Sequence, residues 1–167
     1  LGMHGTYEAN NAMHDCDLLI NIGARFDDRI TGKIDEFSPK SKKVHIDIDP
    51  SSINKIIKVD LALVGDVNDV INKITKTINK KKLNLNKSNK QQISKWWEQI
   101  QKWRQKNSLN FINSNETIKP QHAVQRLYEL TKNQDTFITT EVGQHQMWAA
   151  QHYKFNKPNR WMTSGGL

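Results

Sequence analysis

The sequence lacks the features that mark secreted and membrane proteins. Its 167 residues include one cysteine, Cys16, which excludes an internal disulfide and fits a reducing compartment. No apolar run is long enough to cross a membrane, and no stretch resembles a signal peptide. We therefore expect a cytoplasmic protein with no membrane partner.

Acidic residues are absent from one long stretch, between Asp69 and Glu98. This stretch holds eight lysines, which equal the whole net charge of +8. The lysines are Lys73, Lys76, Lys80, Lys81, Lys82, Lys87, Lys90 and Lys95. They alternate with Asn, Gln and Ser rather than with Arg and aromatic residues, and a basic tract alone is only an electrostatic footprint. We interpret the tract as a solvated surface and expect no nucleic-acid partner.

The Gly-x-Gly-x-x-Gly fingerprint of NAD-binding proteins is also absent, although three predicted strands end in residues that suit a nucleotide. Residues 18–22 form a short apolar run, typical of a strand buried on both faces of a parallel sheet, and Gly23-Ala24-Arg25 follows it. Residues 43–48 form the second strand, in which Asp47 stands 24 positions after Gly23. Residues 61–64 form the third, which ends in Gly65-Asp66.

Ligands of open α/β sheets bind beyond the carboxyl ends of the strands, and an acid about 20 residues after the first glycine bonds ribose hydroxyls. Arg25 could grip a phosphate with its planar fork, and Gly23 would allow a close approach of the backbone. Each site alone could equally be a strand-to-loop junction with surface charges. The convergence of three such sites favours a nucleotide-like ligand.

Helical spacing predicts the remaining elements of the first part of the chain. We expect a helix at about residues 6–14 and another after Asp66, which suits an N-cap. Residues 80–92 read as a polar linker. Residues 93–106 then form a helix with Trp96, Trp97 and Trp103 on one face, where it would pack against a neighbouring domain.

The strand–helix alternation resumes in the last part of the chain. A helix opens at Pro120, a strand covers residues 137–140, and residues 141–145 form a turn into a helix whose first amides favour a phosphate. Another strand, residues 160–163, ends in Ser164-Gly165-Gly166. The alternation predicts parallel sheets and an α/β fold. Because the sequence starts at Leu1 and stops just after a glycine turn, we expect it to be a piece of a longer protein.

Two motifs identify a family: Gly23-Ala24-Arg25-Phe26-Asp27-Asp28 and Gly143-Gln144-His145-Gln146-Met147-Trp148. With the stretches 1–5, 45–50, 65–67 and 161–167, they make the chain resemble the large, catalytic subunit of acetolactate synthase (acetohydroxyacid synthase), a thiamine-diphosphate enzyme. The resemblance covers nearly the whole chain and is weakest at residues 76–92.

The resemblance implies a domain organisation and a reaction. Residues 1–80 would be the second half of a Rossmann-like, FAD-binding central domain, residues 81–116 a linker with the Trp-rich helix, and residues 117–167 the start of the thiamine-diphosphate domain. The family decarboxylates pyruvate on thiamine diphosphate and transfers the two-carbon unit to a second pyruvate or to 2-oxobutanoate. This is the first common step in the biosynthesis of valine, leucine and isoleucine.

The resemblance also implies the roles of individual residues. The FAD would contact His4, Gly5, Gly23, Ala24, Arg25, Asp47, Ile48, Gly65 and Asp66. Thiamine diphosphate would contact Val142, Gly143, Gln144, His145, Gly165 and Gly166. Met3 and Asp28 would lie near the substrate channel. The magnesium ligands and the activating glutamate would lie outside this chain, so we assign no catalytic residue and no metal ligand in it and expect the segment alone to be inactive.

The expected partners are 2-oxo acids, a second large subunit in a homodimer, and a small regulatory subunit. Two other readings stay open. One is a noncatalytic FAD- or nucleotide-binding module, and the other is a different flavin-containing thiamine-diphosphate enzyme.

Overall fold

The structure is a computed structural model that describes residues 1–83 and 86–165. The chain divides into two compact units, Leu1–Ser108 and Leu109–Leu167. Each unit contains its own parallel sheet with helices. The boundary falls within the stretch 81–116 that the sequence predicts as a linker.

The first unit is built on a three-stranded parallel sheet with the order β1-β2-β3. The strands are β1 (Leu18–Ile22), β2 (Lys42–Asp47) and β3 (Leu61–Val64). The predicted bounds of β1 and β3 are confirmed, and β2 begins and ends one residue earlier than predicted. The α/β class with parallel strands is therefore confirmed.

The prediction that β1 is buried on both faces is wrong. Leu18, Ile20 and Ile22 are 51%, 53% and 44% exposed. Their neighbour Leu19 points to the opposite face and packs against the core. An apolar run makes a strand, but β1 lies at the edge of the sheet and only one of its faces is covered in this unit.

The core of the first unit lies where the loops after β1 and α2 meet the sheet. Phe26, Phe37 and Ile57 form it, with the rings of Phe26 and Phe37 edge to face at 5.7 Å. The central strand contributes the two most deeply buried side chains nearby, His45 (0% exposed) and Ile46 (1%). This packing fixes the loop that leaves β1, because Phe26 is three residues beyond Gly23.

Among its described residues, the first unit also has four α-helices: α1 (Tyr7–Asp15), α2 (Asp28–Thr31), α3 (Val67–Lys80) and α4 (Lys87–Arg104). Short 3-10 helices cover Gly2–His4, Ile34–Glu36 and Pro50–Ser52. As expected, Asp66 caps α3, since its carboxylate accepts from the amides of Asn68 and Asp69.

Helix α4 starts six residues before the predicted Ile93, so part of the predicted linker is helical. Its start is explained by Asn86, whose side-chain oxygen accepts from the amide of Asn89 at 2.8 Å. The polar residues before Ile93 show no apolar periodicity, so the sequence pattern did not predict a helix there. An asparagine N-cap nevertheless favours the first helical turn. Helix α4 packs against α1, and the rings of Trp96 and Trp103 meet edge to face at 5.6 Å.

The second unit pairs two short parallel strands with two helices. They are α5 (Pro120–Thr131), β4 (Ile138–Thr140), α6 (Gln144–His152) and β5 (Trp161–Thr163). Tyr153 joins the helices, because its hydroxyl lies 2.7 Å from that of Thr131 and its ring packs edge-on against Tyr128. Before the strands, Arg160 binds Asp135 through two nitrogens, at 2.8 and 3.0 Å. The hydrogen bonds from Arg160 hold the pKa of the Asp135 carboxyl below its usual value.

No helix in residues 1–83 or 86–165 combines the length and apolar character needed to cross a membrane.

Candidate functional site

The carboxyl ends of β1, β2 and β3 lie side by side at one edge of the first sheet. Gly23 follows β1 and donates its amide to Ile46 O at 2.8 Å, and Gly65 follows β3 and donates to Asp47 O at 2.9 Å. The parallel register thus brings together the three strand ends that the sequence marked, with Asp47 and Ile48 between the two glycines. We call the surface formed by these strand ends the first crevice. Ile48 is 70% exposed there.

Gly23 leaves room at the first crevice for a ligand to approach the backbone. Its φ is +59°, a left-handed conformation that favours glycine. A Cβ at this position would meet no atom of the chain within 4 Å. The neighbouring Ala24 is held by Asn21, whose side-chain Nδ2 donates to Ala24 O at 2.6 Å. The turn after β1 is therefore both preformed and open, which fits the approach of a flat or extended cofactor.

The Arg25 guanidinium is the cation of the first crevice. Its side chain is 79% exposed, and its Nη2 lies 2.9 Å from Asp27 Oδ2. Asp27 in turn caps α2, accepting from the amide of Arg29 at 3.2 Å. That backbone amide, with the Arg25 charge as a smaller contribution, holds the pKa of Asp27 below its usual value. One guanidinium edge is thus anchored, while the side chain stays available to a phosphate.

The two acids of the crevice have different surroundings. Asp47 Oδ1 accepts from the amide of Asp49 at 2.9 Å, and its Oδ2 lies 3.4 Å from Nε2 of the buried His45. The His45 ring also packs edge-on against Phe26 at 5.2 Å, so it lies between Phe26 and Asp47. Asp66 is engaged at its Oδ1 as the cap of α3. The sequence did not single out His45, because its contact with Phe26 depends on the fold.

Two of the residues expected to bind the flavin lie beside α2. His4 ends the first 3-10 helix, which packs against α2, and Gly5 follows it. The amide of Gly5 donates to Gly2 O at 3.0 Å, and a Cβ on Gly5 would lie 2.6 Å from the Leu1 backbone. Gly2 and Gly5 thus enclose a tight turn, whereas the flavin contact of His4 and Gly5 stays a prediction.

Met3 and Asp28, the expected substrate-channel residues, both line one cleft in the first unit. It has a volume of about 620 Å³ and lies between α1, α2 and the loop before β2. Asn10, His14 and Arg29 supply polar and charged groups to its walls. The side chain of Asn10 is fixed in the wall of this cleft, because it accepts from Gly2 N at 2.7 Å and donates to Gly2 O at 2.8 Å.

The second unit has its own open strand ends, which we call the second crevice. The register pairs Thr140 with Thr163, and the amide of Ser164 donates to Thr140 O at 3.1 Å. The turn after β4 and the segment after β5 therefore leave the sheet side by side. These are the two segments expected to hold thiamine diphosphate. Gly165 lies here, and Gly166 falls outside the described residues.

The start of α6 is suited to a phosphate. Gly143 stands at the N-cap and has no side chain to satisfy the first amides of the helix, those of Gln144 and His145. Its φ is +156°, and a Cβ there would lie 2.9 Å from the ring of His145. Val142, just before it, is 60% exposed. The first amides of α6 thus have no side-chain cap, which fits a diphosphate at this helix start.

One residue of the second crevice was missed by sequence reasoning. The side-chain nitrogen of Gln146 donates to Thr163 Oγ1 at 2.6 Å and to Ser164 O at 2.8 Å. Nothing in the spacing of Gln146 predicts these bonds, since its partners are 17 and 18 residues away in sequence.

The described residues contain no group of three His, Cys, Asp or Glu side chains that could hold a metal ion.

Two family models match parts of the chain. Residues 1–74 match the family "Thiamine pyrophosphate enzyme, central domain", and residues 141–167 match "Thiamine pyrophosphate enzyme, C-terminal TPP binding domain". The first match contains the first crevice, and the second contains the turn into α6 and the segment after β5. Residues 1–74 and 141–167 are therefore similar to two domains of thiamine pyrophosphate enzymes.

Within that class, the whole chain is homologous to acetolactate synthase large subunits. It is 48% identical over 167 residues to the acetolactate synthase large subunit of Buchnera aphidicola subsp. Schlechtendalia chinensis. It is 43% identical to the isozyme 3 large subunit of Escherichia coli and 44% identical to acetolactate synthase 1, chloroplastic, of Nicotiana tabacum. Each alignment covers 100% of this chain, but only 28% of the two bacterial proteins and 24% of the tobacco protein.

Proposed function

We propose that this chain is part of an acetolactate synthase large subunit. In this role the protein decarboxylates pyruvate and joins the two-carbon unit to a second pyruvate or to 2-oxobutanoate, in branched-chain amino acid biosynthesis. The observation that carries the proposal is the identity of 43% and 48% to bacterial large subunits over the whole of this chain. A glycine turn without a side-chain cap, within the C-terminal family match, supports it. The 2-oxo acids are accordingly the proposed substrates.

Thiamine diphosphate supplies the electron sink for the decarboxylation. In our proposal the amides of Gln144 and His145 bind its diphosphate at the start of α6. Gly143 allows the His145 ring to lie against the turn, and the exposed Val142 flanks the cofactor. Gly165 begins the segment that would hold the other end of the cofactor. The chain would thus orient the cofactor by its two ends.

The first crevice is the proposed FAD site. Arg25 would pair with the flavin diphosphate, Asp47 with ribose hydroxyls, and Gly23 and Gly65 would allow the chain to approach the cofactor closely. Asp66 would act through the cap of α3, which fixes the turn beside Gly65. Met3 and Asp28 belong in this proposal to the channel by which 2-oxo acids enter.

Assembly and location complete the proposal. The large subunit forms a homodimer and associates with a small regulatory subunit, by analogy with the family. A cytoplasmic location is supported by the single cysteine, Cys16, which the structure keeps as a free thiol.

An assay on the full protein tests the function. The protein is incubated with pyruvate, thiamine diphosphate, magnesium ions and FAD, and acetolactate is measured as acetoin after acid treatment. Reactions lacking one component at a time serve as controls, and 2-oxobutanoate added in competition reports the second substrate. We expect product that depends on thiamine diphosphate. FAD binding without thiamine diphosphate binding or product would instead indicate a noncatalytic flavin module.

A further inference from the structure

The side chain of Gln146 bridges the two segments of the second crevice. Gln146 is the third residue of α6, directly after the amides expected to bind diphosphate. Its Nε2 reaches the last residue of β5, Thr163, at 2.6 Å and the carbonyl of Ser164 at 2.8 Å. One amide group therefore ties the start of α6 to the point where the chain leaves β5.

The orientation of this amide is determined by its partners. A backbone carbonyl only accepts hydrogen bonds, so the nitrogen of Gln146, and not its oxygen, must face Ser164. An amide nitrogen carries two hydrogens, and the two bonds use both. Replacing the nitrogen by any group without N–H would remove both bonds at once.

A directed chain of donors reaches the same hydroxyl from the other side. Trp161 Nε1 donates to Thr140 Oγ1 at 3.1 Å, and Thr140 Oγ1 donates to Thr163 Oγ1 at 2.8 Å. Thr163 Oγ1 thus accepts from both Thr140 and Gln146. The bond from Thr140 joins the ends of the two strands, and the bond from Gln146 joins the end of β5 to helix α6.

Both backbone polar groups of Ser164 are hydrogen-bonded. Its amide is bound to Thr140 O in the sheet, and its carbonyl is bound to Gln146. The next residue, Gly165, has no side chain that could restrain the backbone conformation by its contacts. Without Gln146, the path of the chain after β5 would be set by the strand pairing alone.

We propose that Gln146 is a positioning residue for thiamine diphosphate. It holds the segment that begins at Ser164 in register with the amides of Gln144 and His145, so that the two ends of the cofactor meet their contacts together. This inference rests on the proposed function of the second crevice and adds to it a residue that does not itself touch the cofactor.

The variant Gln146→Met tests the proposal in the full protein. Methionine keeps the size and helix preference of glutamine and removes both donors. We expect thiamine diphosphate, in the presence of magnesium ions, to bind about tenfold more weakly, as the loss of two neutral hydrogen bonds predicts. In the cofactor-free protein, amide exchange at residues 163–165 should become faster. At saturating cofactor, kcat should fall while KM for pyruvate stays unchanged.

Gln92→Met is the matched control, because Gln92 is exposed on α4 in the first unit. It should change neither cofactor affinity nor exchange at residues 163–165. If Gln146→Met fails to fold, Gln146→Glu replaces it, since its carboxylate keeps the shape but repels the Ser164 carbonyl. Wild-type affinity and exchange in the variant would overturn the role of Gln146 alone. A wild-type protein that does not bind thiamine diphosphate would overturn the proposed function as well.

Discussion

Replacing Gly23 with alanine separates a backbone effect from a ligand effect at the first crevice. The substitution adds one methyl group at φ +59°, in a direction where no atom of the chain lies within 4 Å. No steric clash within the protein opposes it. The cost to the fold therefore comes from the backbone conformation, and any cost to a ligand comes from the methyl group itself.

The two costs can be estimated separately. A non-glycine residue in the left-handed region costs about 1–2 kcal/mol. Alanine also restricts the unfolded chain, which returns about 0.4–1 kcal/mol. The free energy of unfolding should therefore fall by about 1 kcal/mol. Flavin affinity should fall at least about tenfold, equivalent to about 1.4 kcal/mol, because the methyl group occupies the space through which the cofactor approaches the backbone.

Gly32→Ala provides a matched control. Gly32 has a φ of +56°, a Cβ there would also meet nothing within 4 Å, and it ends α2 rather than a strand of the sheet. Urea denaturation of the full protein measures the stability of both variants, and equilibrium dialysis measures FAD binding. Both variants should lose stability, and Gly32→Ala should lose more because the ψ of −125° at Gly32 lies outside the left-handed helical region. Only Gly23→Ala should lose flavin affinity. Undiminished flavin binding by Gly23→Ala would refute the placement of the cofactor at this turn.

Three further predictions concern charge. Arg25→Ala should weaken FAD binding roughly ten- to hundredfold, because a hydrogen bond to a charged group is worth about 1.5–3 kcal/mol, and an unchanged dissociation constant in dialysis would contradict this. Replacing Lys80, Lys81 and Lys82 together with serine should leave acetolactate formation unchanged, since all three are exposed; a large loss of activity would reveal a function of the basic tract. Burial holds the pKa of His152 below its ordinary 6.5, so the neutral ring stabilises the fold above that pH and the contribution is lost as pH falls through the lowered pKa. Thermal unfolding between pH 7.5 and 5 should therefore show an acid sensitivity that His152→Gln reduces, and equal sensitivity of both proteins would exclude His152 as its source.

Much of the local structure follows from the sequence alone. The bounds of β1 and β3 match the apolar runs that end at Gly23 and Gly65, because short β-branched and leucine-rich stretches bounded by glycine have few alternatives to a strand. Asp66 and Pro120 mark the starts of α3 and α5 for similarly local reasons, a capping carboxylate and a fixed φ. The motifs around Arg25 and His145 were sufficient to indicate the family.

The tertiary structure decided what these local signals leave open. The apolar run of β1 does not say which face is covered, and the exposure of Ile20 follows from its place at the edge of the sheet. The start of α4 at Lys87 depends on one capping bond from Asn86, within a stretch whose composition reads as linker. The bond from Gln146 to Ser164 and the contact of His45 with Phe26 join residues that are distant in sequence. Such pairs form only when the strands have set their register, and no periodicity or spacing within a single element records them.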